Sequence, residues 1–305
     1  MPLPNAEQAA ARVTADLIAV VVAATEGEPR VLTIEAGRAL PSGPFESGHR
    51  SLQASLRAWV EHQTHHPLGY VEQLYTFADR DRGAEAGERV VSISYLGLTR
   101  ESRASHGRGV SWQDWYRYFP WEDRRDPDAT LSPALIAALG SWAEAAPDAM
   151  LRWQRRNRVA INFGLDANAW NEELTLQRYE TLWEAELVPE AGGAVAAGEP
   201  MAHDHRRILA TGIARLRGKI KYRPVVFELM PLTFTLGRLQ AAVEALAGRR
   251  LHKQNFRRLV EQQNLVEETG GVATETGGRP AKLFRFRREV VAERAAAGSK
   301  LPLVR

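Results

Sequence analysis

The sequence predicts an α+β fold in two parts, a sheet-and-helix domain over residues 1–200 and a smaller helical domain with a β-hairpin over 201–305. Three observations predict this division. Short apolar runs typical of strands are interspersed with helical patterns in the first part. Two closely spaced helical patterns precede a glycine-rich hairpin in the second part. The basic residues are concentrated in that second part, and 305 residues suffice for two ordinary domains.

The composition is that of a globular protein and excludes several kinds of site. Hydrophobic residues make up 44% of the chain and charged residues 25%. Cysteine is absent, which excludes disulfides, thiolate zinc sites and cysteine nucleophiles and fits a reducing cytoplasm. The apolar run Leu17–Ala24 is too short to span a bilayer, and no secretion signal is visible. We therefore expect a cytoplasmic protein.

The net charge of +3 hides a strong asymmetry along the chain. Residues 205–305 hold 21 Lys and Arg against 8 Asp and Glu, whereas residues 1–204 hold 19 against 29. A positive field at one end attracts polyanions, and nucleic acid is the commonest such partner. An arginine-rich surface without a partner remains the alternative interpretation of charge alone.

The first part contains the strands of the predicted sheet and most of its helices. Strands are expected at Leu17–Ala24, Val31–Ile34, Tyr70–Phe77 and Val90–Leu98, and helices at 50–64, Leu131–Ala146, Leu174–Glu186 and Arg206–Lys219. The last helix bridges the two parts. The segment Arg223–Leu229 is expected to be a strand or an extended segment, and 188–200 a loop.

One segment is unusually rich in aromatic residues. It contains Trp112, Trp115, Tyr116, Tyr118, Phe119 and Trp121 beside several charged residues. Because aromatic side chains bury a large apolar area, we favour an insertion that covers the core. A ligand pocket or a dimer contact is the alternative.

The second part has the element order of a winged helix–turn–helix. Thr235 is a predicted N-cap for a helix that Gly248 ends, and a second helix follows from about Lys253 to Gln263. Phe256, Leu259 and Val260 form its expected buried stripe. Asn264 tolerates a left-handed conformation at its end. Strands at Leu265–Thr269 and in AKLFRFR, joined by a glycine-rich turn, form the wing.

This arrangement predicts binding to double-stranded DNA. A helix that reads the major groove needs long hydrogen-bond donors on one face and an apolar stripe on the other. The predicted DNA-binding residues are Thr235, Lys253, Gln254, Asn255, Arg257, Arg258, Arg279 and Lys282. Arg279, near the tip of the wing, suits a minor groove.

A degenerate hydrolase box lies between residues 43 and 64. An active Nudix box reads Gly, five residues, Glu, seven residues, then Arg-Glu-apolar-X-Glu-Glu-X-Gly, and its glutamates hold divalent cations. Here Gly43, Arg57, Trp59 and Glu61 occupy their expected places. His49, Ala58 and His62 replace glutamates. One remaining metal carboxylate cannot hold these ions, so we expect a retained fold without hydrolysis, no catalytic residues and no metal.

Four histidines, His49, His62, His65 and His66, lie close together in the same region. Neutral imidazoles bind transition metals. We favour scattered histidines at a helix end over such a site.

Several stretches resemble the Nudix-related transcriptional regulators of NAD metabolism. They are YVEQLYTFAD with VVSISYLGLT, LTLQRYETLWEAELVPEA, AHDHRRILATGIARLRGKIKY, FELMPLTFTLGRLQAAVEALAGRRLHKQNFRRLVEQQNLVEETG and GGRPAKLFRF. The aromatic insertion and missing glutamates resemble the longer alphaproteobacterial branch. The resemblance implies a Nudix-like α/β/α sandwich followed by a winged helix–turn–helix.

The same resemblance implies a homodimeric repressor of NAD biosynthesis or salvage genes that binds a palindromic operator. Its effector would be an adenine nucleotide such as NAD, ADP-ribose or ATP, and no other cofactor is expected. Because the box is degenerate, we expect the effector near the aromatic insertion. The candidate effector-binding residues are Arg57, Arg117, Trp121, Arg124 and Arg125.

Two other functions stay open. One is a Nudix-type nucleotide-diphosphate hydrolase that combines Glu61 with ligands from outside the box. The other is a non-specific nucleic-acid or RNA-binding protein.

Overall fold

The computed structural model describes residues 13–46, 48, 50–78, 89–101, 109–273 and 280–289. Within these residues one sheet contains the strands β1 (Val13–Thr25), β2 (Glu28–Thr33), β3 (Ser42–Pro44), β4 (Tyr70–Phe77), β5 (Arg89–Leu98) and β6 (Ser111–Asp114). The strand order is β4-β5-β1-β2-β6, and β3 pairs with β1. Strands β1 and β5 are parallel, and the other pairs are antiparallel. The sheet is therefore mixed.

Two helices cover the opposite faces of this sheet, α1 (Leu52–Thr64) and α5 (His205–Tyr222). Successive residues of β1 point to opposite faces. Leu17, Ala19 and Val21 share one core with Leu56 and Val60 of α1, while Ile18, Val20 and Val22 share the other with Ile208, Leu209 and Ile213 of α5. The apolar run that predicted β1 is thus buried on both faces, which gives the expected α/β/α sandwich.

Three helices form an insertion after the sheet: α2 (Pro133–Glu144), α3 (Ala149–Phe163) and α4 (Thr175–Glu184). The sequence predicts α2 and α4 but not α3. Helix α3 buries only Val159, Asn162 and Phe163, so its apolar periodicity is weak. Local signals delimit it instead: Asp148 Oδ1 accepts a hydrogen bond from Leu151 N at 2.8 Å, and Gly164 ends it at φ 61°.

The aromatic segment belongs to the core, as favoured from the sequence. Its six aromatic side chains are at most 7% exposed. Phe119 forms edge-to-face contacts with Trp121 and Tyr179, so the segment joins the sheet to the helical insertion.

The C-terminal part contains α6 (Leu236–Ala247), α7 (Lys253–Gln262), β7 (Val266–Ala273) and β8 (Ala281–Phe286). The prediction of a strand or extended segment at Arg223–Leu229 was wrong, because residues Val225–Leu229 form a 3-10 helix. Pro224 precedes this helix with φ −78° and ψ 36°, which starts a turn. Among the described strands, none pairs with it.

The two parts share one core. A single cluster of buried residues contains Val20 and Val22 of β1 together with Leu239 and Leu246 of α6. Helix α5, which lies after the predicted boundary at residue 200, packs against the sheet: a Cβ added at Gly212 would lie 2.8 Å from Val20 Cγ1. Among the residues that the structure describes, no helix is both long and apolar enough to cross a membrane.

Candidate nucleic-acid interface

Helix α7 presents the predicted reading residues to solvent. Lys253, Gln254, Asn255, Arg257 and Arg258 are all exposed. Val260 is 6% exposed and Phe256 is half-buried, so these two, one helical turn apart, fix the helix to the scaffold. The prediction that Leu259 joins this stripe was wrong, because its side chain is 49% exposed. It lies about 100° around the helix from Val260, outside the narrow apolar stripe.

The helix before α7 begins and ends as predicted. Thr235 Oγ1 accepts a hydrogen bond from Arg238 N at 3.1 Å, so this side chain caps α6. Gly248 ends α6 in the left-handed conformation, with φ 71°. The turn that follows carries Arg249 and Arg250, whose side chains are 56% and 68% exposed. No local pattern of the sequence marks these two arginines, although their place between the two helices brings them close to α7.

The wing is a hairpin whose charges are paired across its strands. Lys282 Nζ lies 2.8 and 3.0 Å from the carboxylate oxygens of Glu268, and Arg285 Nε lies 2.5 Å from Glu267 Oε1. Arg279 lies outside the described residues. Phe286 anchors the hairpin by stacking on Phe227, with 4.1 Å between ring centroids.

Side chains and backbone from the aromatic segment and from α5 hold the C-terminal end of α6. Tyr116 Oη donates to Ala245 O at 2.7 Å, Arg217 Nε donates to Leu246 O at 2.9 Å, and Arg124 N donates to Gly248 O at 2.7 Å. The last carbonyl groups of a helix have no partner within it. These three bonds satisfy such carbonyls and fix the orientation of α6, and therefore of the turn to α7.

A buried ion cluster lies behind this contact. Glu122, Arg178 and Arg217 have fully buried side chains. Arg178 Nε lies 2.5 Å from Glu122 Oε1, and Arg217 Nη1 lies 2.5 Å from Glu122 Oε2. Burial alone would raise the pKa of Glu122, but the charges and hydrogen bonds of the two arginines outweigh it and lower that pKa below its usual value. The cluster therefore stays charged and connects the aromatic segment, α4 and α5.

Three of the candidate effector-binding residues, which lie close in sequence to Glu122, already make contacts with other residues of the protein. Trp121 is 7% exposed. The Arg124 guanidinium lies 4.7 Å from the Trp170 ring centroid. Arg125 bonds Asp123, Gly27 O and Glu28 at 2.7–2.8 Å. Hydrogen bonds to Asp123 are the largest contribution that raises the pKa of Arg125.

The other two candidates lie elsewhere. Arg117 is at the surface, where its Nε lies 2.5 Å from Glu199 Oε1 and its Nη1 donates to Gln113 Oε1 at 2.8 Å. Arg57 of α1 donates to the carbonyl of Leu68 and, at 2.9 Å, to that of Gly69. The structure therefore does not bring the five residues together, and their role in effector binding stays a prediction.

The degenerate box keeps its frame. A Cβ added at Gly43 would lie 2.3 Å from the Trp59 ring, so glycine is required where the ring covers β3. Ala58, Glu61 and His62 share an exposed face of α1, one helical turn apart. His49 lies outside the described residues. Within the part of the chain that the structure describes, no three His, Asp or Glu side chains are grouped to hold a metal.

Comparisons with known proteins bear on both parts. Residues 226–286 match the family of the NrtR DNA-binding winged helix domain. The ADPR responsive transcriptional repressor NtrR of Acinetobacter baylyi is 41% identical over 86 residues, which are 28% of this chain and 34% of that protein. The matched stretch thus spans about a third of the length of this relative.

Two solved structures share the fold of nearly the whole chain. NrtR of Shewanella oneidensis complexed with a 27mer DNA has a TM-score of 0.55 at 20% identity, covering 91% of this chain and 95% of that one. A MutT/nudix family protein from Enterococcus faecalis has a TM-score of 0.53 at 18% identity, covering 94% and 90%. The predicted fold, a Nudix-like sandwich followed by a winged helix–turn–helix, is confirmed, as is the resemblance to the Nudix-related regulators.

Proposed function

We propose that the chain is a DNA-binding transcriptional repressor of NAD biosynthesis genes, and that its Nudix-like part binds an adenine nucleotide as effector. The proposal depends on one observation, the exposure of the hydrogen-bond donors along one face of helix α7. The opposite face is fixed to the protein by the buried Val260. This helix lies within the residues that match the NrtR DNA-binding winged helix domain. A cationic face of this kind suits the major groove.

The residues of this surface take different roles. Asn255 reads adenine and Arg257 reads guanine through paired hydrogen bonds, with Lys253, Gln254 and Arg258 beside them. Thr235 and the wing residues Arg279 and Lys282 contact the phosphate backbone. Lys282 exchanges its partner Glu268 for a phosphate in the complex.

The effector is an adenine nucleotide, with ADP-ribose as the first candidate and NAD and ATP as the others. The Acinetobacter baylyi relative is named as an ADPR responsive transcriptional repressor, which supports this choice. Nucleotide binding changes operator affinity, which makes the two sites energetically coupled.

Two further features complete the proposal. The protein acts in the cytoplasm as a homodimer on a palindromic operator, because two reading helices one DNA turn apart match such a site. Residues 1–200 act as the sensing domain, whose sandwich α5 completes, and the winged helix within 201–305 acts as the reading domain.

The sensing domain performs no hydrolysis in this proposal. On the α1 face that corresponds to the metal carboxylates, Glu61 is flanked by Ala58 and His62. A Nudix-type hydrolase remains the second candidate, because the fold is shared with a MutT/nudix family protein.

A footprinting experiment tests the proposal. We expect the chain to protect one palindrome in the promoter region of its neighbouring genes in the presence of excess competitor DNA, and we expect ADP-ribose, NAD or ATP to change that protection. Uniform binding to all DNA would instead indicate a non-specific nucleic-acid binder. Turnover of ADP-ribose or diadenosine substrates with magnesium or manganese would indicate the hydrolase.

A further inference from the structure

A cleft with a volume of about 760 Å³ opens where the sheet meets the winged helix. Its walls come from the ends of β1 and β5, the loop after α1, and the segment leading into α6. The lining includes Thr25, Gly69, Arg100, Glu101, Pro231 and Arg238. Pockets for small ligands commonly measure roughly 300–1,000 Å³. The cleft therefore has the size of a nucleotide-binding site.

We propose that this cleft is the effector site and that it binds a diphosphate-containing nucleotide, with Arg100 and Arg238 contacting the phosphates. The inference rests on the proposed function in one respect, that the chain senses a nucleotide. It differs from the expectation drawn from the sequence, which locates the effector near the aromatic insertion.

The two arginines supply charge that no other described residue pairs with. Arg100 and Arg238 are both exposed, and neither forms an ion pair with another residue that the structure describes. Both line the same cleft, Arg100 from the loop after β5 and Arg238 from the first turn of α6. A guanidinium matches a phosphate with two parallel hydrogen bonds. Two such groups facing one space suit two linked phosphates.

The cleft also offers an acceptor for a hydroxyl or amino group. Glu101 lines it, and the Oε2 atom of Glu101 has no hydrogen-bond partner among the described residues. Arg30 Nε lies 3.8 Å from this atom, too far for a hydrogen bond. Buried polar atoms without partners are uncommon. Because this atom is buried, we infer that the Glu101 carboxylate turns into the cleft when a nucleotide binds and there accepts a hydrogen bond from a ribose hydroxyl or an adenine amino group.

The walls provide the apolar surface that a base or ribose needs. Pro67 and Leu68 lie on the sheet side, and Leu229 and Pro231 lie on the side of the winged helix. Arg57 holds the loop that forms the sheet side of the cleft, because its guanidinium donates hydrogen bonds to the carbonyls of Leu68 and Gly69. We therefore assign Arg57, an effector-binding candidate from the sequence, as a positioning residue.

The location explains how binding affects DNA. Leu229 and Pro231 belong to the segment that leads into α6, Arg238 belongs to α6 itself, and α6 leads directly to α7. A ligand in the cleft thus contacts both the sheet and the pair of helices α6 and α7, which we call the reading unit. Only a ligand with different contact energies in two conformations can shift the balance between them. Reciprocally, DNA must change nucleotide affinity by the same factor.

A second groove, of about 490 Å³, lies along α5 and is the rival location. It is lined by Arg215 and Arg223, but its third cation, Lys219, is bonded to Glu72 and to Tyr70 Oη. Its described lining contains no residue of α6 or α7. A nucleotide there would have no direct contact with the reading unit.

Calorimetric titration of ADP-ribose and of NAD into the full chain without DNA distinguishes the two locations. Arg238→Ala removes a phosphate contact, and we expect affinity to fall at least about tenfold, with partial recovery in Arg238→Lys. Gly69→Leu fills the cleft, and the backbone accepts a side chain there because an added Cβ would lie 3.8 Å from Leu98 O, an ordinary contact. We expect the same loss there. The matched control is Arg215→Ala, with unchanged affinity.

DNA affinity measured on the same samples separates the possible failures. Wild-type nucleotide affinity in both Arg238→Ala and Gly69→Leu would overturn the cleft assignment and leave the repressor proposal intact. A loss of nucleotide affinity in Arg215→Ala alone would overturn the cleft assignment and indicate the groove along α5 as the nucleotide site. A wild-type chain that binds DNA but neither nucleotide would overturn both the cleft assignment and the proposed sensing, but not DNA binding.

Discussion

Arg217 Nη1 lies 2.5 Å from Glu122 Oε2, while Nε of the same guanidinium donates to Leu246 O at 2.9 Å. One buried side chain thus links the aromatic segment to the C-terminal end of α6. Because Arg217 itself lies on α5, three elements meet at a single planar group. The geometry of this junction sets the orientation of the reading unit relative to the sheet.

Glu122→Gln should destabilise the protein strongly. The substitution leaves Arg178 and Arg217 buried without their counter-charge, so we expect the free energy of unfolding to fall by about 3–5 kcal/mol. Urea denaturation at neutral pH measures it. Glu184→Gln is the control, because Glu184 pairs with Arg158 at the surface, and its curve should match the wild type. A small, equal loss in both variants would contradict the importance of the cluster.

Gly248→Ala should cost more than Gly192→Ala. Both glycines have positive φ, 71° and 88°. A Cβ at Gly192 meets nothing within 4 Å, so that variant measures the left-handed penalty alone, about 1–2 kcal/mol. A Cβ at Gly248 would lie 2.4 Å from Glu122 O. We expect about 1–3 kcal/mol of additional loss in the free energy of unfolding from this overlap.

Thermal and urea unfolding of the two variants provide the comparison, and DNA affinity gives a second measurement. Gly248→Ala should weaken operator binding because it displaces α6, whereas Gly192→Ala should not. Identical behaviour of the two variants would show that the end of α6 tolerates displacement.

Stability should fall as the pH drops from about 6.5 toward 4. Burial, with a smaller contribution from the charge of His203, lowers the pKa of His205 to about 4. Between that value and the usual one of about 6.5, the unfolded chain binds a proton that the folded chain excludes. The stabilisation is therefore complete above pH 6.5 and decreases by up to roughly 3 kcal/mol at pH 4.

Urea denaturation at pH 7.5, 6.0 and 5.0 tests this dependence. Leu40 N donates to His205 Nδ1 at 2.9 Å, and an asparagine side chain can accept the same hydrogen bond without titrating. His205→Asn should therefore show a shallower loss of stability over this range. Parallel pH profiles for the variant and the wild type would exclude His205 as the source.

Substitutions on α7 and on the wing should differ in sequence dependence. Arg257→Ala or Asn255→Ala should cost about 1–3 kcal/mol on the cognate site and little on unrelated DNA, the usual size of a base contact. Lys282→Ala, and likewise Arg279→Ala, should weaken binding to every sequence and flatten its salt dependence. Fluorescence anisotropy on cognate and scrambled duplexes over a salt series measures both. Equal losses in the two groups would contradict the assigned roles.

Carboxylates can be restored to α1. Because Ala58, Glu61 and His62 share one exposed face, the double substitution Ala58→Glu with His62→Glu recreates three glutamates within a helical turn. We expect this variant, but not the wild type, to bind Mn²⁺ in a paramagnetic titration. Wild-type ADP-ribose turnover that Glu61→Gln abolishes would instead establish the hydrolase.

Local sequence patterns predicted the helices and strands in which apolar residues recur at regular spacing. The buried run Leu17–Ala24 corresponds to β1, and Thr235 and Gly248 delimit α6 as expected, because caps and alternation depend only on neighbouring residues. The exposed donors of α7 follow from the same kind of pattern. The fold class and the exposure of the α7 donors could therefore be predicted from the sequence.

Contacts between residues far apart in the sequence could not be predicted in this way. Arg178 and Arg217 are 56 and 95 residues from Glu122, so no local pattern indicates that the three meet. One signal was available: Arg206 and Arg217 lie on the apolar face of α5 with Ile213, where an unpaired cation would be costly. The cleft beside Arg238 was likewise unpredictable, because residues from several separate stretches line it.

The bonds from Tyr116, Arg124 and Arg217 to the end of α6 have a consequence for protein engineering. None of these residues lies within 226–286, so an excised copy of that segment would carry three orphaned carbonyl groups. Each costs about 1–3 kcal/mol if it stays buried. The segment 226–286 therefore depends on residues outside it. A chimera that joins this segment to a different sensing domain must include hydrogen-bond donors for these three carbonyl groups.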